Sequence, residues 1–402
     1  MDKTSYIGRD MEKIVKKAAG QFPAVIVTGP RQSGKTTLLK HVFSKTHKYV
    51  LMDTPNAKVM AERDPELFFR NYSPPLIIDE IQESPGLFSY IKVLIEKDRQ
   101  KNGRFILTGS QAFPLMAGVS ESLAGRIAVF SLLSLSFKEQ YFNVKMPDYE
   151  SLKNRVLTGG FPQIALDSKL DRDLWFSGYL QTYLERDVRR LRMVGDITDF
   201  QRFLQLAAAY NGQVLSYSSI SRDLGVAVNT IKAWVSVLEA SGQIMLVKPF
   251  YANKGKRIIK SPKLYFLDTG LLCYLLGITS EKQVFSGHFS GQMLETLVLG
   301  EMVRSFYSEG IVPRIYWWRT SNGEEVDFIV ENRGRIFPIE VKLSANIGEN
   351  MIKPLASFCG LFKDKVSAGY VVNLSKEKLK MSNNIVSLPL EDFIFNMPAG
   401  FR

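Results

Sequence analysis

Short apolar runs alternate with amphipathic stretches along residues 1–150 of the chain. The apolar runs are rich in Val, Ile and Leu and lack polar alternation, which is typical of parallel strands covered on both faces. The predicted strands are Ala24–Thr28, Lys48–Asp53, Pro74–Glu80, Gly103–Ser110 and Gly125–Phe130. An amphipathic helix, Gly86–Lys97, separates the third strand from the fourth. This alternation predicts an α/β domain with a parallel sheet.

Helical spacing dominates the middle of the chain. Aromatic and aliphatic residues recur at helical intervals over Trp175–Leu191, after a loop at Leu157–Pro162. The end of this helix, Glu185–Arg192, is dense in arginine, and we interpret it either as a solvated helix face or as a surface for phosphates. Residues 151–210 are therefore predicted to form a helical linker or lid.

A winged helix is predicted for residues 211–285. Two short helices joined by a turn at Gly225 have the connection of a helix-turn-helix, with Asn229 as N-cap of the second helix. The helices are Ser218–Asp223 and Asn229–Glu239, and the strands of the wing are Ile244–Val247 and Lys263–Asp268. The predicted buried stripe consists of Ile231, Val235 and Leu238, and the basic residues available to DNA phosphates are Lys232, Lys254, Lys256, Arg257 and Lys260. Because winged helices also pack against proteins, a protein partner remains the alternative.

The last hundred residues predict a second α/β domain, over residues 286–402. A long amphipathic helix, Gly291–Glu309, precedes three strands with short polar turns, and a further helix and strand follow. The predicted strands are Ile315–Arg319, Glu325–Val330, Arg335–Leu343 and Ser367–Asn373, and the later helix is Gly348–Leu361.

The composition of the chain indicates its cellular compartment and the class of partner that it binds. A chain of 402 residues is too long for one core and is expected to divide into roughly two to four domains. The hydrophobic fraction of 45% is typical of a soluble protein, and no stretch approaches the roughly 20 apolar residues of a membrane span. We therefore expect a cytoplasmic protein without a membrane partner. The net charge of +12 favours a polyanionic partner such as DNA.

The loop after the first strand carries the strongest chemical signal in the sequence. It reads Gly-Pro-Arg-Gln-Ser-Gly-Lys-Thr and runs into a helix, which is the context required of a phosphate-binding P-loop. Backbone N–H groups and the helix N-terminus would bind phosphate, Lys35 would lie between the β- and γ-phosphates, and Thr36 would bind Mg²⁺. The predicted nucleotide-binding residues of this segment are Gly29, Pro30, Arg31, Gln32, Ser33, Gly34, Lys35, Thr36 and Thr37.

Two acids end the third predicted strand. Asp79 is predicted to join Thr36 in holding Mg²⁺, and Glu80 is predicted to act as the base that orients and polarises the attacking water. At the end of the fourth strand, either Thr108 or Ser110 would sense the γ-phosphate, or the residue would cap a helix.

Arg126 lies at the start of the fifth predicted strand, directly after Gly125. We interpret it either as a catalytic arginine that reaches a nucleotide in its own or a neighbouring subunit, or as a surface salt-bridge residue. The neighbouring-subunit interpretation would require a homo-oligomer.

Three segments of this first domain resemble a prokaryotic group of AAA-superfamily ATPases. They are GPRQSGKTTL, LIIDEIQ and LTGSQ. The resemblance implies an additional strand between the P-loop strand and the acidic strand, and it implies ATP as the ligand. The absence of an Asn/Thr-Lys-x-Asp motif, which reads guanine, also favours ATP over GTP.

A second candidate site lies on the strands of the last domain. Side chains alternate along a strand, so Glu340 and Lys342 project to one face, where Asp327 of the neighbouring strand joins them. Two carboxylates that hold Mg²⁺ beside a lysine, with Glu295 as a further metal ligand, would form a phosphodiester-hydrolysing site. The spacing resembles the PD-(D/E)xK nuclease fold. The alternative is an ordinary acid-x-Lys pattern on a solvent-facing strand.

The order of these parts resembles a family of prokaryotic ATPases in which an AAA-type domain is joined to a C-terminal region of unknown function. That region combines a winged helix with a nuclease-like fold. One hypothesis is therefore a Mg²⁺-dependent ATPase whose C-terminal half engages DNA and cleaves it. The competing hypothesis is a nucleotide-controlled switch whose C-terminal modules only bind DNA or protein partners.

Overall fold

The computed structural model describes residues 6–110, 119, 121–141, 149–183, 197–251, 261–398 and 400–401. Its first part contains a parallel sheet of five strands in the order β2-β3-β4-β1-β5. The strands are β1 (Ala24–Thr28), β2 (Lys48–Leu51), β3 (Leu76–Asp79), β4 (Phe105–Thr108) and β5 (Ile127–Ser131). All five coincide with predicted strands, and β4 lies between β1 and β3, as the resemblance implies.

Helices cover both faces of this sheet, which explains why its strands are apolar throughout. The helices are α1 (Glu12–Ala19), α2 (Lys35–Phe43), α3 (Pro55–Arg63), α4 (Pro65–Asn71) and α5 (Leu87–Lys97). Ala24 and Ile26 of β1 pack with α3, α4 and α5, whereas Val25 and Val27 pack with α1 and α2. The loop that follows β1 therefore lies between the helices packed on the two faces of the sheet.

A helical region follows the first sheet. Its helices are α6 (Phe137–Gln140), α7 (Tyr149–Thr158), α8 (Pro162–Leu166), α9 (Arg172–Tyr183) and α10 (Ile197–Ala209). Helix α9 is the described part of the helix predicted over Trp175–Leu191, and the arginine-dense segment Glu185–Arg192 lies outside the described residues. Tyr179 of α9 packs on Phe161 and stacks on Trp175, which fixes α8 against α9.

Two helices with the predicted connection come next, α11 (Tyr217–Leu224) and α12 (Val228–Ala240). Gly225 ends α11 in the left-handed region at φ 72°, as expected of a glycine at this position. The predicted buried stripe is confirmed at Ile231, Val235 and Leu238. The predicted N-cap is wrong: Ala227 occupies that position without a side-chain bond, because α12 begins one residue before Asn229.

The second sheet has eight strands in the order β12-β13-β11-β10-β9-β8-β6-β7. They are β6 (Ile244–Pro249), β7 (Lys263–Phe266), β8 (Ile315–Arg319), β9 (Glu325–Asn332), β10 (Arg335–Lys342), β11 (Gly369–Asn373), β12 (Leu379–Lys380) and β13 (Ile385–Pro389). β6 pairs with β7 as expected of a wing, and it also pairs with β8. The region predicted as a winged helix thus shares one sheet with the last domain. The predicted domain boundary after residue 285, the winged helix and the nuclease-like fold stay predictions.

The remaining helices flank this second sheet. They are α13 (Thr269–Leu275), α14 (Glu281–Val284), α15 (Ser290–Ser308), α16 (Lys353–Leu361) and α17 (Leu390–Phe395). One hydrophobic core, which includes α15, extends from Leu133 to Phe401 and joins the helical region to the sheet. No helix within the described ranges combines the length and apolar character that crossing a membrane requires.

Candidate functional site

The loop between β1 and α2 has the backbone shape of a phosphate cradle. Gly29 and Gly34 have φ angles of 132° and 93°, in the region that favours glycine. A Cβ on Gly29 would lie 2.2 Å from the carbonyl oxygen of Leu132, so no larger residue fits there. Gly34 is the N-cap of α2, and the positive end of the helix therefore opens toward the loop.

Two side chains of the loop fit a phosphate. Lys35 is buried, and its Nζ donates to the carbonyl oxygens of Gly29 at 3.1 Å and Pro30 at 2.8 Å. The buried hydroxyl of Ser33 has no hydrogen-bond partner among the residues that the structure describes. A phosphate oxygen would accept from both groups, and charge-assisted bonds of this kind are stronger than bonds to neutral carbonyls.

Asp79 is the centre of a buried hydrogen-bond network. Thr36 Oγ1 donates to both carboxylate oxygens of Asp79 at 2.9 Å. Thr108 Oγ1 donates to Oδ1, and the hydroxyl of Tyr49 donates to Oδ2 at 2.7 Å. Thr36 and Asp79, the predicted pair for Mg²⁺, are thus in contact and offer the oxygen donors that this ion prefers.

Glu80 has a left-handed backbone, with φ 57° and ψ 48°. This conformation costs a residue other than glycine roughly 1–2 kcal/mol and is found most often at functional sites. Its N–H donates to Thr108 Oγ1 at 3.0 Å, and its carboxylate accepts from Ser110 Oγ at 3.0 Å and from Gln82. Ser110 therefore contacts the predicted base, whereas Thr108 positions both acids.

A cleft of about 590 Å³ joins the P-loop and Glu80 to the helical region. On the first side it is lined by Arg31, Gln32, Gly34, Lys35, Thr36 and Thr37. On the second side it is lined by Pro162, Gln163, Tyr179 and Thr182. Sequence reasoning missed this second set, because helical packing explains their spacing without a ligand. The predicted lid over residues 151–210 was the one signal that pointed to this region.

Arg126 lies at the amino ends of the parallel strands, whereas the P-loop lies at their carboxyl ends. Its carbonyl oxygen accepts a hydrogen bond from the N–H of Ala24, at the start of β1, whereas the P-loop follows the end of β1. Its guanidinium pairs with Glu96 at 2.5 Å. The prediction that Arg126 reaches a nucleotide in its own subunit is therefore wrong, because ligands of parallel sheets bind at the carboxyl ends of the strands. The salt-bridge alternative matches the structure.

Arg9 is a buried cation beside the P-loop that sequence reasoning missed. Its Nη1 donates to the carbonyl oxygen of Ser33 at 2.8 Å, and its Nη2 donates to that of Leu133 at 2.8 Å. Its Nε pairs with Glu139 at 3.0 Å. One guanidinium thus joins the P-loop to the segment after β5, and a single arginine outside any motif gives no signal of this in the sequence.

The second candidate site is a buried cluster on β9 and β10. The antiparallel register of these strands places Asp327 next to Glu340. Lys342 Nζ pairs with Glu340 Oε1 at 2.5 Å, and the N–H of Val341 donates to Asp327 Oδ2 at 2.8 Å. The structure therefore brings together the three residues that strand alternation predicted.

Glu295 reaches this cluster from α15. Its Oε2 accepts from the hydroxyl of Tyr265 at 2.6 Å. Burial, followed by the charge of Asp327, raises the pKa of Glu295 and that of Glu340 to about 8. Burial also raises the pKa of Asp327, against the opposing charge of Lys263. Deprotonation of these carboxyl groups is therefore shifted to higher pH.

Protein donors occupy the cluster that was predicted to hold metal. In the part of the chain that the structure describes, no three His, Cys, Asp or Glu side chains are arranged so that they could hold a metal ion. The predicted metal centre at Glu295, Asp327 and Glu340 is therefore wrong for this arrangement. One oxygen of each carboxylate accepts from a protein donor, namely Tyr265, Val341 or Lys342. The other oxygen of Glu340, Oε2, is buried and has no hydrogen-bond partner among the described residues.

Asp327→Ala is expected to destabilise the fold. The substitution leaves the buried N–H of Val341 without its acceptor and removes the charge beside Lys263 and Lys342, which costs on the order of 3 kcal/mol. Denaturant unfolding measures this loss, with the exposed Asp364→Ala as control. Unchanged stability together with loss of a Mg²⁺-dependent DNA cleavage would contradict the expectation.

The predicted DNA-contacting residues are only partly within the described ranges. Lys232 is exposed on α12, where its Nζ lies 6.0 Å from the ring centroid of Tyr217. The wing residues Lys254, Lys256, Arg257 and Lys260 lie outside the described residues.

Family comparisons divide the chain into three successive matches. Residues 21–141 match the AAA domain, which confirms the domain that the three sequence segments imply. Residues 149–282 match the domain of unknown function DUF8612, and residues 290–393 match the domain of unknown function DUF4143.

The similarity to two mycobacterial proteins extends along nearly the whole chain. Uncharacterized proteins of Mycobacterium tuberculosis and Mycobacterium bovis are each 31% identical to it over 393 residues, which cover 96% of this chain and 84% of the relative. Among solved structures, the Walker-type ATPase of Pyrococcus abyssi is similar with a TM-score of 0.46 and 14% identity, over 67% of this chain and 96% of that one. The chain belongs to the family of AAA-domain proteins that includes the two mycobacterial relatives.

Proposed function

We propose that the protein is a Mg²⁺-dependent ATPase that works as a nucleotide-controlled switch. The observation that carries this proposal is a contact between the P-loop and Gly242, in the turn that follows α12. A Cβ on Gly242 would lie 3.2 Å from Cδ and 3.3 Å from Cγ of Pro30. The loop that would bind phosphate thus packs directly on the part of the chain that would bind a partner.

The proposed signal begins at Lys35. Its ammonium donates to the carbonyl oxygen of Pro30, and the ring of Pro30 faces Gly242. A bound phosphate competes for this ammonium, because a charged oxygen is a stronger acceptor than a neutral carbonyl. The carbonyl of Pro30 then loses its donor, and the loop shifts against Gly242. Nucleotide occupancy is linked in this way to the position of α12.

A second contact, a buried polar network, joins the segment after β5 to α15. Arg304 of α15 donates to the carbonyl oxygens of Ser134 at 3.1 Å and Leu267 at 2.7 Å. Glu301 accepts from the N–H of Phe137 at 3.1 Å. Each of these buried groups would cost roughly 1–3 kcal/mol if it lost its partner. The segment after β5 and α15 are therefore expected to move together.

Arg9 connects this network to the P-loop. It holds the carbonyl of Ser33 in the loop and the carbonyl of Leu133, which is followed directly by Ser134. Glu139, which pairs with Arg9, also accepts from the N–H of Ser136 at 2.9 Å. A shift of the loop is thereby passed to residues 133–139 and from there to α15.

The hydrolytic step that we propose uses residues of the same cleft. Bound Mg²⁺ would neutralise charge on the phosphates. Thr36 and Asp79 would hold the ion, and Lys35 would bind the β- and γ-phosphates. Glu80, which Ser110 fixes, would orient the attacking water and accept its proton.

Gly242→Ala is expected to weaken ATP binding about fivefold, which corresponds to about 1 kcal/mol. The added Cβ presses on Pro30 and opposes the shift of the loop that we propose for ATP binding. Alanine at φ 72° also strains the backbone by roughly 1 kcal/mol, which lowers stability with and without ATP. A fluorescent ATP analogue measures the affinity. Gly225→Ala is the matched control, since Gly225 has the same φ of 72° but nothing lies within 4 Å of an added Cβ.

The paired variants separate strain from coupling. Gly225→Ala is expected to lose similar stability with wild-type affinity for ATP. Equal affinities of the two variants would contradict the coupling, whereas no binding of ATP by the wild type would contradict the ATPase itself.

DNA is the partner that we propose for the C-terminal half. The helix pair α11 and α12, the hairpin of β6 and β7, and the net charge of +12 support this choice. The hydrogen-bonded carboxylates of the second cluster support binding rather than cleavage. ATP turnover with and without duplex and single-stranded DNA tests the partner: stimulation supports DNA, and the absence of both stimulation and DNA binding supports a protein partner.

A further inference from the structure

We propose that Tyr49 is a positioning residue for Mg²⁺ in the nucleotide site, where it acts through Asp79. The inference rests on the proposed ATPase function. Tyr49 lies on β2, outside the P-loop and outside the acidic strand, and its hydroxyl donates to Asp79 Oδ2 at 2.7 Å. Residues around a metal site that fix the orientation of a ligand typically change metal affinity roughly 10- to 100-fold when they are removed.

The distribution of donors around Asp79 gives Tyr49 a distinct role in orienting this carboxylate. Oδ1 accepts from Thr36 and Thr108, whereas Oδ2 accepts from Thr36 and Tyr49. Thr36 would bind the ion through a lone pair of its oxygen, and its single O–H proton is shared between Oδ1 and Oδ2. Tyr49 is therefore the donor among these that is directed at Oδ2 alone. Because Asp79 is only 3% exposed, water has little access to replace the phenol.

The surroundings of Tyr49 restrain the orientation of its ring. Lys40 Nζ lies 3.6 Å from the ring centroid, a cation–π contact that restrains the ring.

Tyr49→Phe tests the inference, because it removes one oxygen and keeps the ring under Lys40. A fluorescent ATP analogue is titrated into the full-length protein with EDTA and with increasing Mg²⁺. We expect the Mg²⁺ concentration that gives half of the metal-dependent gain in affinity to rise roughly 10- to 100-fold. Affinity in EDTA is expected to stay within about twofold of wild type, since Tyr49 does not line the phosphate loop. Tyr72→Phe is the control, because Tyr72 packs on Phe68 beyond the amino end of β3.

Each outcome decides the matter. An unchanged Mg²⁺ requirement in Tyr49→Phe would overturn the inference. An equal loss of affinity in EDTA and in Mg²⁺ would also overturn it, because it would show a general structural role. The midpoint of thermal unfolding without nucleotide shows whether Tyr49→Phe has lost stability, as a general structural role would require. If the wild type shows no metal-dependent binding of ATP, the proposed function fails instead.

Discussion

Lys35→Ala is expected to abolish ATP binding and turnover. Lys35 is the single lysine of the loop sequence Gly-Pro-Arg-Gln-Ser-Gly-Lys-Thr, and its buried ammonium is held 2.8 Å from the carbonyl oxygen of Pro30. Removing one member of a desolvated charge pair costs on the order of 2–5 kcal/mol, which corresponds to a loss of affinity of roughly 30- to several thousand-fold. Equilibrium binding of a fluorescent ATP analogue measures this loss.

A matched substitution keeps this result specific. Lys45→Ala removes an exposed lysine shortly after α2 and is expected to bind ATP as the wild type does. Circular dichroism checks that Lys35→Ala is folded. A folded Lys35→Ala protein with wild-type affinity and turnover would refute the assignment of the P-loop.

Glu80→Gln is expected to bind ATP with nearly wild-type affinity and to hydrolyse it roughly 10²- to 10⁴-fold more slowly. The amide keeps the size of the side chain and can still accept from Ser110, so the strained backbone and the cleft are preserved. It loses the basic oxygen that would take the proton of the attacking water. Steady-state turnover and nucleotide affinity, measured on one preparation, separate the two effects.

Glu66→Gln provides the comparison for Glu80→Gln. Glu66 is exposed on α4 and makes a surface pair with Arg70 at 3.7 Å, and pairs of this kind contribute little. Its turnover is expected to equal that of the wild type. A decrease of less than about tenfold in Glu80→Gln would show that another group acts as base.

Local motifs explain why the first site could be predicted from the sequence. Gly29 and Lys35 are contiguous with the strand and helix that position them, and Asp79 and Glu80 end a strand whose apolar run is visible. Tyr49 could not be predicted, because its contact with Asp79 depends on which strands are neighbours and on the reach of a long side chain. Neither property is encoded by spacing along the chain.

Two predictions from the sequence were wrong: the contact of Arg126 with a nucleotide of its own subunit, and the metal centre on β9 and β10. The direction of the strands explains the first, and hydrogen bonds from protein donors to the carboxylates bear on the second. Arg126 precedes a parallel strand and therefore lies at the amino ends of the strands, away from the end where phosphates would bind. Asp327 and Glu340 are adjacent as strand alternation predicts, since a hairpin has a simple register. The donors that engage this cluster include Tyr265 of β7, a strand that sequence reasoning placed in a different domain, so their effect on metal binding was not foreseeable.

Hydrogen–deuterium exchange of the full chain tests the central claim most directly. Glu80→Gln protein is compared without nucleotide and with ATP and Mg²⁺, so that the bound state persists. The account predicts changes in exchange at the P-loop, around Gly242 and along α15, because Pro30 and Arg304 link these segments. Changes confined to the P-loop and its own sheet, with saturating ATP bound, would contradict it.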